Sequence, residues 1–542
     1  MKRYLQLGVV GFLFLICTGC GDVFRPTIIP PNPIFPNPAA AHTIVTISDN
    51  GDVSAGSAMV IDVSGDSEVS IKNMGVHPVH LVQQTANQIL VVNQTDATVP
   101  QDSVSRLTFS GTVIFAANTI TLPTSYDPGG SQAVTTALPN FVATTEASEA
   151  YVLMPRYQPV QTGGPIIPSI AVINTTSDSI TATIPVGNNP MAMAETPDAR
   201  KLYVANFDDN TISGFNTLDR SARTVSGSFA SPTWLAIRSD NQRLYVLGDG
   251  TLSTVDISTT AGPDNLIGTI AVPAAADRMW YDVVLNRLYI PGGQQLLILD
   301  ASQSLPTALA TISIPPLNVL PAGSTVPATA VAITSLPDGS RAYVGSYAVL
   351  PSAFTVSSVT GNGVTATYVY TLTGGHDLTA GVAVTVTGTG GGFDGTFLVS
   401  EVISGTAGCP GTCFQAPNAS AATGGAGSGT ANNIFSQVTV VDTSSNTVKT
   451  TTQVPGSPDA TDPTTPYYAP ICSTTRFRFT MAAAGDSTRA YMSSCDAGNV
   501  NIIYTKTDTY ALSPPAPLSG RPPIPPSTQN PPQNPVFMIA GP

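Results

Sequence analysis

The sequence predicts an all-β protein made of repeated four-stranded sheets, and three features carry that prediction. Gly and Pro contribute 47 residues each and charged residues only 10%, which suits short strands joined by many tight turns. After the signal region no segment has a convincing amphipathic helical pattern. Residues 170–217 hold four short apolar-alternating strands, and then the pattern begins again. Repeated four-stranded units are typical of the blades of a β-propeller.

A segment similar to LYVAN occurs seven times and predicts the second strand of seven blades. The seven segments are Ile89–Asn93, Ala150–Met154, Leu202–Asn206, Leu244–Gly248, Leu288–Gly292, Ala342–Ser346 and Ala490–Ser494. Near the middle of the chain their tyrosines Tyr203, Tyr245 and Tyr289 follow at 42 and 44 residues, close to the ~40–50 residues of a four-stranded blade. An apolar strand precedes each segment and is expected to be innermost. The sequence therefore predicts a seven-bladed β-propeller.

Both ends of the chain hold strands that could close the ring. Ala58–Val63 and Glu68–Asn73 resemble the outer two strands of a blade whose inner strands are missing at this point. The last blade lacks a clear outer strand, so we expect the N-terminal pair to complete it and remove the free edges. The terminal segment Pro535–Gly541 is a second candidate, and the sequence leaves the choice open.

The regular spacing breaks between Ser346 and Ser436, where Gly, Thr and Ser dominate. Four alternating segments in this stretch, FTVSSV, ATYVYTL, VAVTVTG and GTFLVSEV, predict a small inserted β-sandwich or barrel at 353–430 rather than a disordered loop. The turn that it interrupts lies on the ring face that carries the loops into the innermost strands. We therefore expect the insert to cap or flank the central funnel.

The N-terminus predicts export and lipid anchoring. Lys2 and Arg3 precede an apolar run, Leu7 to Ile16, that is too short to span a membrane. Cys20 follows small residues, as in a bacterial lipoprotein signal, and is expected to be lipidated; ordinary secretory cleavage is the alternative. The Pro-rich stretch Arg25–Pro38 predicts a stiff tether. The expected location is the outer membrane or cell surface.

The domain organisation follows from these assignments. We expect a signal peptide at 1–19, a Pro-rich tether at 20–42, the propeller at 43–352 and 431–512, the inserted domain at 353–430, and a Pro-rich tail with a possible terminal strand at 513–542. The net charge of −13 and the lack of a basic cluster argue against a nucleic-acid partner.

Four cysteines lie beyond Cys17 and Cys20, namely Cys409, Cys413, Cys472 and Cys495. Local pairing, 409–413 and 472–495, is the simplest of the three possible connectivities. Export to an oxidising compartment favours disulfides over metal binding, and none of the four histidines lies near these positions in sequence.

Candidate ligand-facing residues lie around the predicted innermost strands and the turns beside them. They are His77, His80, Asp208, Asp209, Asp249, Trp234 and Trp280. The two tryptophans are expected at equivalent places on adjacent innermost strands. Each candidate also has a simpler interpretation, as a core or turn histidine, a solvated turn carboxylate, or an aromatic residue packed between blades. Because GxSxG, HExxH and P-loop motifs are missing from the sequence, no catalytic residue, metal or cofactor is predicted.

The pattern INT…TIPVG…P…PD…LYVAN in 170–217 resembles the YVTN family of β-propeller repeats, and 328–348 with 437–454 carries most of it. That family occurs in bacterial and archaeal surface proteins and is related to lactonase-like seven-bladed propellers, which hold a divalent metal in the channel. The preferred hypothesis is a non-catalytic cell-envelope lipoprotein whose propeller binds a protein or glycan. A lactonase-like hydrolase with a channel metal and a structural surface-layer component are the alternatives.

Overall fold

The computed structural model describes residues 42–49, 55–94, 101–131, 133–161, 163–260, 262–319, 324–375, 377–378, 382–406, 408–454, 476–495, 498–510 and 534–541. Every regular element in these ranges is a β-strand. The same ranges hold no helix long and apolar enough to cross a membrane. The expected signal peptide, Cys20 and the Pro-rich stretch after it lie outside the described residues.

The strands of the first half are β1 (Thr43–Asp49), β2 (Ser57–Asp62), β3 (Ser67–Asn73), β4 (Pro78–Thr85), β5 (Gln88–Asn93), β6 (Ser103–Ser110), β7 (Val113–Thr121), β8 (Ser125–Tyr126), β9 (Val134–Thr135), β10 (Phe141–Ala143), β11 (Glu149–Met154), β12 (Ser169–Asn174), β13 (Ser179–Pro185), β14 (Pro190–Glu195), β15 (Lys201–Asn206), β16 (Thr211–Asn216), β17 (Ala222–Arg223), β18 (Val225–Ser226), β19 (Trp234–Ile237), β20 (Arg243–Gly248), β21 (Thr251–Asp256) and β22 (Asp264–Ala271).

The strands of the second half are β23 (Trp280–Asp282), β24 (Arg287–Gly292), β25 (Gln295–Asp300), β26 (Thr307–Ser313), β27 (Leu317–Val319), β28 (Ser324–Val326), β29 (Thr329–Ser335), β30 (Arg341–Gly361), β31 (Thr365–Gly374), β32 (Ala383–Thr387), β33 (Gly395–Leu398), β34 (Glu401–Thr406), β35 (Cys409–Pro417), β36 (Thr423–Gly424), β37 (Gly427–Asp442), β38 (Thr447–Val454), β39 (Phe479–Ala483), β40 (Arg489–Ser494), β41 (Asn499–Tyr504), β42 (Thr509–Tyr510) and β43 (Asn534–Ala540).

Four-stranded antiparallel sheets form a closed ring in the described part of the chain. From the innermost to the outermost strand, blade 1 is β43-β1-β2-β3, blade 2 β4-β5-β6-β7, blade 3 β10-β11-β12-β13, blade 4 β14-β15-β16-β17, blade 5 β19-β20-β21-β22, blade 6 β23-β24-β25-β26, blade 7 β29-β30-β37-β38 and blade 8 β39-β40-β41-β42. The innermost strands are neighbours in that order, and β39 packs against β43. The ring therefore has no open side.

The predicted all-β fold and its seven propeller blades are confirmed. Each of the seven LYVAN-like segments is the second strand of one blade, from blade 2 to blade 8, and the apolar strand before it is innermost. Blade 1 is a further sheet to which both chain ends contribute. The described residues thus form eight blades, the seven that the repeat predicts and one, blade 1, that closes the ring.

The expectation that the N-terminal pair completes the last blade is wrong. That blade has its own short outer strand, β42, which pairs with β41. The N-terminal strands instead build blade 1 around the C-terminal strand β43, with Val45 opposite Ile539 and Thr46 opposite Met538. The two-residue length of β42 hid it from the sequence pattern, since alternation cannot be recognised over two residues.

The apolar core lies between the blades. Between blades 7 and 8, for example, Tyr343 and Val440 pack with Phe479, Met481 and Met492, all of them buried. A single four-stranded sheet with two apolar faces cannot cover either face by itself. Radial stacking covers both faces of every sheet, which explains why the repeat must close on itself.

Side-chain hydrogen bonds and ion pairs, which we call latches, connect neighbouring blades. The Tyr343 hydroxyl and the Arg341 guanidinium of blade 7 donate to Asp508 of blade 8, at 2.7 and 3.0 Å. At the next interface Arg489 and Tyr491 reach Asp66 of blade 1 in the same way. Tyr203, Arg223 and Asp264 form a similar group at the interface of blades 4 and 5. At these three interfaces the tyrosine of the repeat is therefore an anchor between blades as well as a core residue.

The insert continues blade 7 as a curved sheet. Strands β30 and β37 run without a break from the blade into the insert, so that Arg341 pairs with Asp442 at one end and Val356 with Gly427 at the other. Beyond the blade the sheet order is β33-β32-β37-β30-β31-β35-β34. Its core, which includes Phe354, Tyr368 and Phe414, is separate from the propeller cores. The insert is thus a half-barrel with its own interior.

Candidate functional site in the central channel

The innermost strands begin with a recurrent irregularity at the axis. In β4 and β14 the pairing with the second strand shifts at the second residue and in β29 at the third, leaving Val79, Met191 and Val331 outside the ladder. All three keep partial exposure. Bulges of this kind redirect side chains and carbonyl groups. They shape the end of the channel at which the innermost strands begin, which we call the closed end.

Five rings meet at the closed end. His80 stacks on Phe141 with centroids 3.9 Å apart and lies 4.5 Å from Phe537. Phe477 contacts Phe537 at 4.8 Å and Trp234 at 6.0 Å, and Trp234 lies edge-on to Phe141 at 5.7 Å. The rings come from blades 1, 2, 3 and 5 and from the segment before blade 8. Their contacts across the axis close this end of the channel.

Arg476 places a positive charge among these rings. Its guanidinium donates to the carbonyl oxygens of Met191 and of Thr233, the latter at 2.7 Å. It lies 5.5 Å from the centroid of Trp234 and 5.3 Å from that of Phe477, within the range of cation–π attraction. Burial lowers the pKa of Arg476 to about 10. The Asp277 carboxylate opposes this shift, and the positive charge of Arg278 adds to it. The group still remains charged at neutral pH.

Arg278 supports the same end of the channel. It donates to the carbonyl oxygens of Phe479 at 3.0 Å and Arg476 at 3.4 Å, and its Nε contacts Asp277 at 3.4 Å. It also lies 5.1 Å from the Phe477 centroid. Arg278 therefore fixes the segment that carries Arg476 and Phe477 to blades 6 and 8.

His80 is held neutral. Burial, followed by the nearby charge of Arg476, lowers the pKa of His80 to about 3. Its Nδ1 accepts a hydrogen bond from the backbone N–H of Val142 at 3.4 Å, so the ring proton resides on Nε2. His80 is therefore an uncharged stacking partner at physiological pH.

The other predicted ligand-facing residues are held in local contacts. His77 pairs with Asp49 at 3.0 Å. Asp209 accepts hydrogen bonds from the backbone and side chain of Asn188, at 2.7 and 2.9 Å. Asp208 accepts one from Asn189 at 3.1 Å. Asp249 lies exposed in the turn between β20 and β21. Of the seven candidates, only His80 and Trp234 are brought together at the closed end.

The expected equivalence of the two tryptophans is wrong. Trp234 pairs with Leu247, whereas Trp280 pairs with Tyr289. The position that matches Trp280 in blade 5 is Ala236, opposite Tyr245. Trp280 thus lies two residues further along the channel, where its Nε1 donates to Ser335 at 2.8 Å.

Sequence reasoning missed Arg278, Arg476 and Phe477. A signal was present, since Arg and Lys total only 21 and these arginines lie two and three residues before the innermost strands β23 and β39. Their convergence, however, depends on which strands face one another across the axis. A closed ring determines this, and the local pattern does not.

The site at the closed end consists of groups that can bind a ligand. It offers a guanidinium, aromatic faces and backbone carbonyls. Within the described ranges, no three His, Cys, Asp or Glu residues are grouped so as to hold a metal ion.

The disulfide between Cys409 and Cys413 is confirmed, with Cα atoms 5.9 Å apart. Cys495 is buried and disulfide-bonded. Its expected partner Cys472 lies outside the described residues, so the 472–495 pairing stays a prediction.

Comparisons with known proteins return similarities of fold. No protein-family model and no curated protein sequence matches the chain. Among solved structures, apo AztD from Citrobacter koseri matches with a TM-score of 0.49 and 10% identity over 92% of this chain and 98% of that one. The Pseudomonas aeruginosa periplasmic gluconolactonase PpgL matches with a TM-score of 0.38 and 11% identity, covering 56% and 90%. A putative 6-phosphogluconolactonase from Bacteroides fragilis matches with a TM-score of 0.38 and 15% identity, covering 56% and 86%.

Proposed function

We propose that this chain is a non-catalytic lipoprotein of the cell envelope whose propeller is an interaction scaffold for a protein or glycan. The proposal rests on how the closed end of the channel is filled. There the protein's own rings and the Arg476 guanidinium occupy the axis, on the face where the loops into the innermost strands converge. The same face receives the insert of blade 7. Recognition is then the task of exposed loops, as in many propellers and other scaffolds.

Anchoring through Cys20 belongs to the same proposal. It is supported by the N-terminal sequence, Lys2 and Arg3 before a short apolar run and then Cys20. The Cys409–Cys413 disulfide is compatible with an oxidising compartment. The YVTN-like repeat, which is typical of surface proteins, points in the same direction.

Metabolic labelling with palmitate tests the anchor. We expect the full chain and its Cys17→Ser variant to incorporate label, and Cys20→Ser to lose it and appear in the soluble fraction. Labelling of Cys20→Ser, or loss of label in Cys17→Ser alone, would contradict the assignment.

A binding experiment tests the scaffold. The soluble Cys20→Ser chain is mixed with washed cell envelopes and sedimented, and the bound fraction is measured against concentration. Saturable binding is expected. In parallel, the chain is equilibrated with zinc, calcium or manganese, and metal content and lactone hydrolysis are measured. A stoichiometric metal together with lactone turnover, without envelope binding, would favour the lactonase-like alternative, and self-assembly into sheets would favour the surface-layer alternative.

A further inference from the structure

We propose that the central channel binds a small organic monocarboxylate, whose charged group is held by Arg476 at the closed end and whose body lies against the apolar innermost strands. The inference goes beyond the scaffold role and does not depend on it, because it concerns the interior of the ring rather than its surface loops.

Arg476 has hydrogen-bonding capacity that the described residues do not use. A guanidinium has five N–H donors, and the described residues accept from two of its nitrogens, through Met191 and Thr233. The carboxylate that acts on its charge is Asp277, which is already in contact with Arg278. An enclosed charge without its own counter-ion is costly to the fold. A bound carboxylate would compensate it.

A ligand also needs access to Arg476. Arg476 is enclosed by protein on most sides yet keeps partial exposure. Beyond the rings, Val82, Ala194 and Ala236 are also partly exposed on their innermost strands, and Trp280 is 38% exposed. Described side chains therefore do not fill the lumen past the closed end. These four residues give the wall an apolar surface with one indole.

The shape and the charge of Arg476 favour one class of ligand. The planar guanidinium fork matches a carboxylate. Arg278 has a carboxylate in contact, Asp277, and His80 is neutral. Of the described basic groups at the closed end, Arg476 is therefore the one whose positive charge has no carboxylate in contact. The charge of Arg476 balances the charge of a monoanion, whereas a phosphate dianion would keep one negative charge without a partner. The apolar wall and Trp280 favour a ligand with an aromatic or aliphatic body.

The chain carries its own reporter for this test. Its two tryptophans, Trp234 and Trp280, both lie on innermost strands of the channel. Tryptophan fluorescence of the soluble Cys20→Ser chain is therefore titrated with benzoate, and with benzamide as the uncharged ligand of the same shape. We expect a saturable change with benzoate and an affinity on the order of 10–100-fold lower for benzamide, as for loss of a charged hydrogen bond.

Variants locate the binding. Arg476→Met removes the charge at similar length, and Arg200→Met removes a positive charge from an exposed side chain. Benzoate binding should be lost in Arg476→Met and unchanged in Arg200→Met. Arg476→Lys, which keeps the charge but loses the fork, should bind benzoate several-fold more weakly. Envelope binding should be the same in all three, so that failure of this inference is distinguishable from failure of the scaffold proposal.

Equal affinities for benzoate and benzamide, or no saturable signal in the unchanged chain, would overturn the proposal. Full benzoate binding by a folded Arg476→Met variant would do the same. If Arg476→Met does not fold, the comparison of the two ligands on the unchanged chain still decides the question.

Discussion

At the scale of single residues, Glu195 is a carboxyl group whose buried surroundings disfavour its charged form. It ends β14, is only 7% exposed, and lies near Glu146, Glu149 and the buried Tyr151. Burial raises its pKa to about 7, and the two neighbouring carboxylates act in the same direction. Glu195 is therefore expected to be largely protonated in the folded protein at mildly acidic pH.

The stability of the protein should consequently depend on the ionisation of Glu195. The folded pKa exceeds the ordinary value of 4.5, so this contribution is complete below about pH 4.5 and disappears as the pH rises through about 7. It amounts to at most about 3 kcal/mol. Urea unfolding between pH 4.5 and 8 should show this decrease for the unchanged chain and a flatter profile for Glu195→Gln. The exposed Glu401→Gln is the control, and parallel profiles for all three proteins would contradict the assignment.

The residues whose position could be predicted from the sequence are those that recur from blade to blade. The tyrosines of the LYVAN-like segments recur at one strand position, and Tyr151, Tyr203, Tyr245, Tyr289, Tyr343 and Tyr491 are all buried. Arg476 has no counterpart in the other blades, so periodicity carried no information about it. Site residues of this kind are found only when the ring is assembled.

At the scale of elements, the alternation of apolar and polar residues predicts the strands of the insert but not how they connect to blade 7. Alternation predicted its strands, and its separate core around Phe354 follows from them. The pattern did not show that β30 and β37 pass continuously from blade to insert. Strand continuity depends on backbone pairing over 341–356 and 427–442, which side-chain alternation does not encode.

The close approach of Gly429 to Phe354 allows the insert to be perturbed by itself. A Cβ atom on Gly429 would lie 2.2 Å from the Phe354 ring, and overpacking of this kind costs about 1–3 kcal/mol or more. We expect Gly429→Ala to speed hydrogen exchange in 353–430 and to leave the propeller amides protected. Gly374→Ala is the matched control, because no atom of the described residues other than its chain neighbours lies within 4 Å of its added Cβ. Faster exchange throughout the propeller would show that the two cores are coupled.

At the scale of the whole molecule, ring closure decides stability. The blades could be predicted from the sequence, but the way in which the ring closes could not. The closing sheet pairs β1 with β43 from the opposite end of the chain. Such contacts bring together the most distant parts of the chain. They are entropically the most expensive to form and are expected to form late in folding.

The latch at this seam should therefore control how fast the ring opens. Asp66 of blade 1 is 3% exposed and accepts hydrogen bonds from Arg489, Tyr491 and Tyr504 of blade 8. Asp66→Asn leaves Arg489 without its carboxylate and should cost about 3 kcal/mol. Asp508→Asn, which weakens the equivalent latch between blades 7 and 8, should cost a similar amount.

The two variants should differ in kinetics. Interactions that form after the folding transition state affect the unfolding rate and leave the folding rate nearly unchanged. If the seam closes last, the whole loss in Asp66→Asn appears as faster unfolding, whereas Asp508→Asn also slows refolding. Stopped-flow unfolding and refolding in urea separate the two effects. A slower refolding rate in Asp66→Asn than in Asp508→Asn would mean that the chain ends meet early and that the ring grows outward from blade 1.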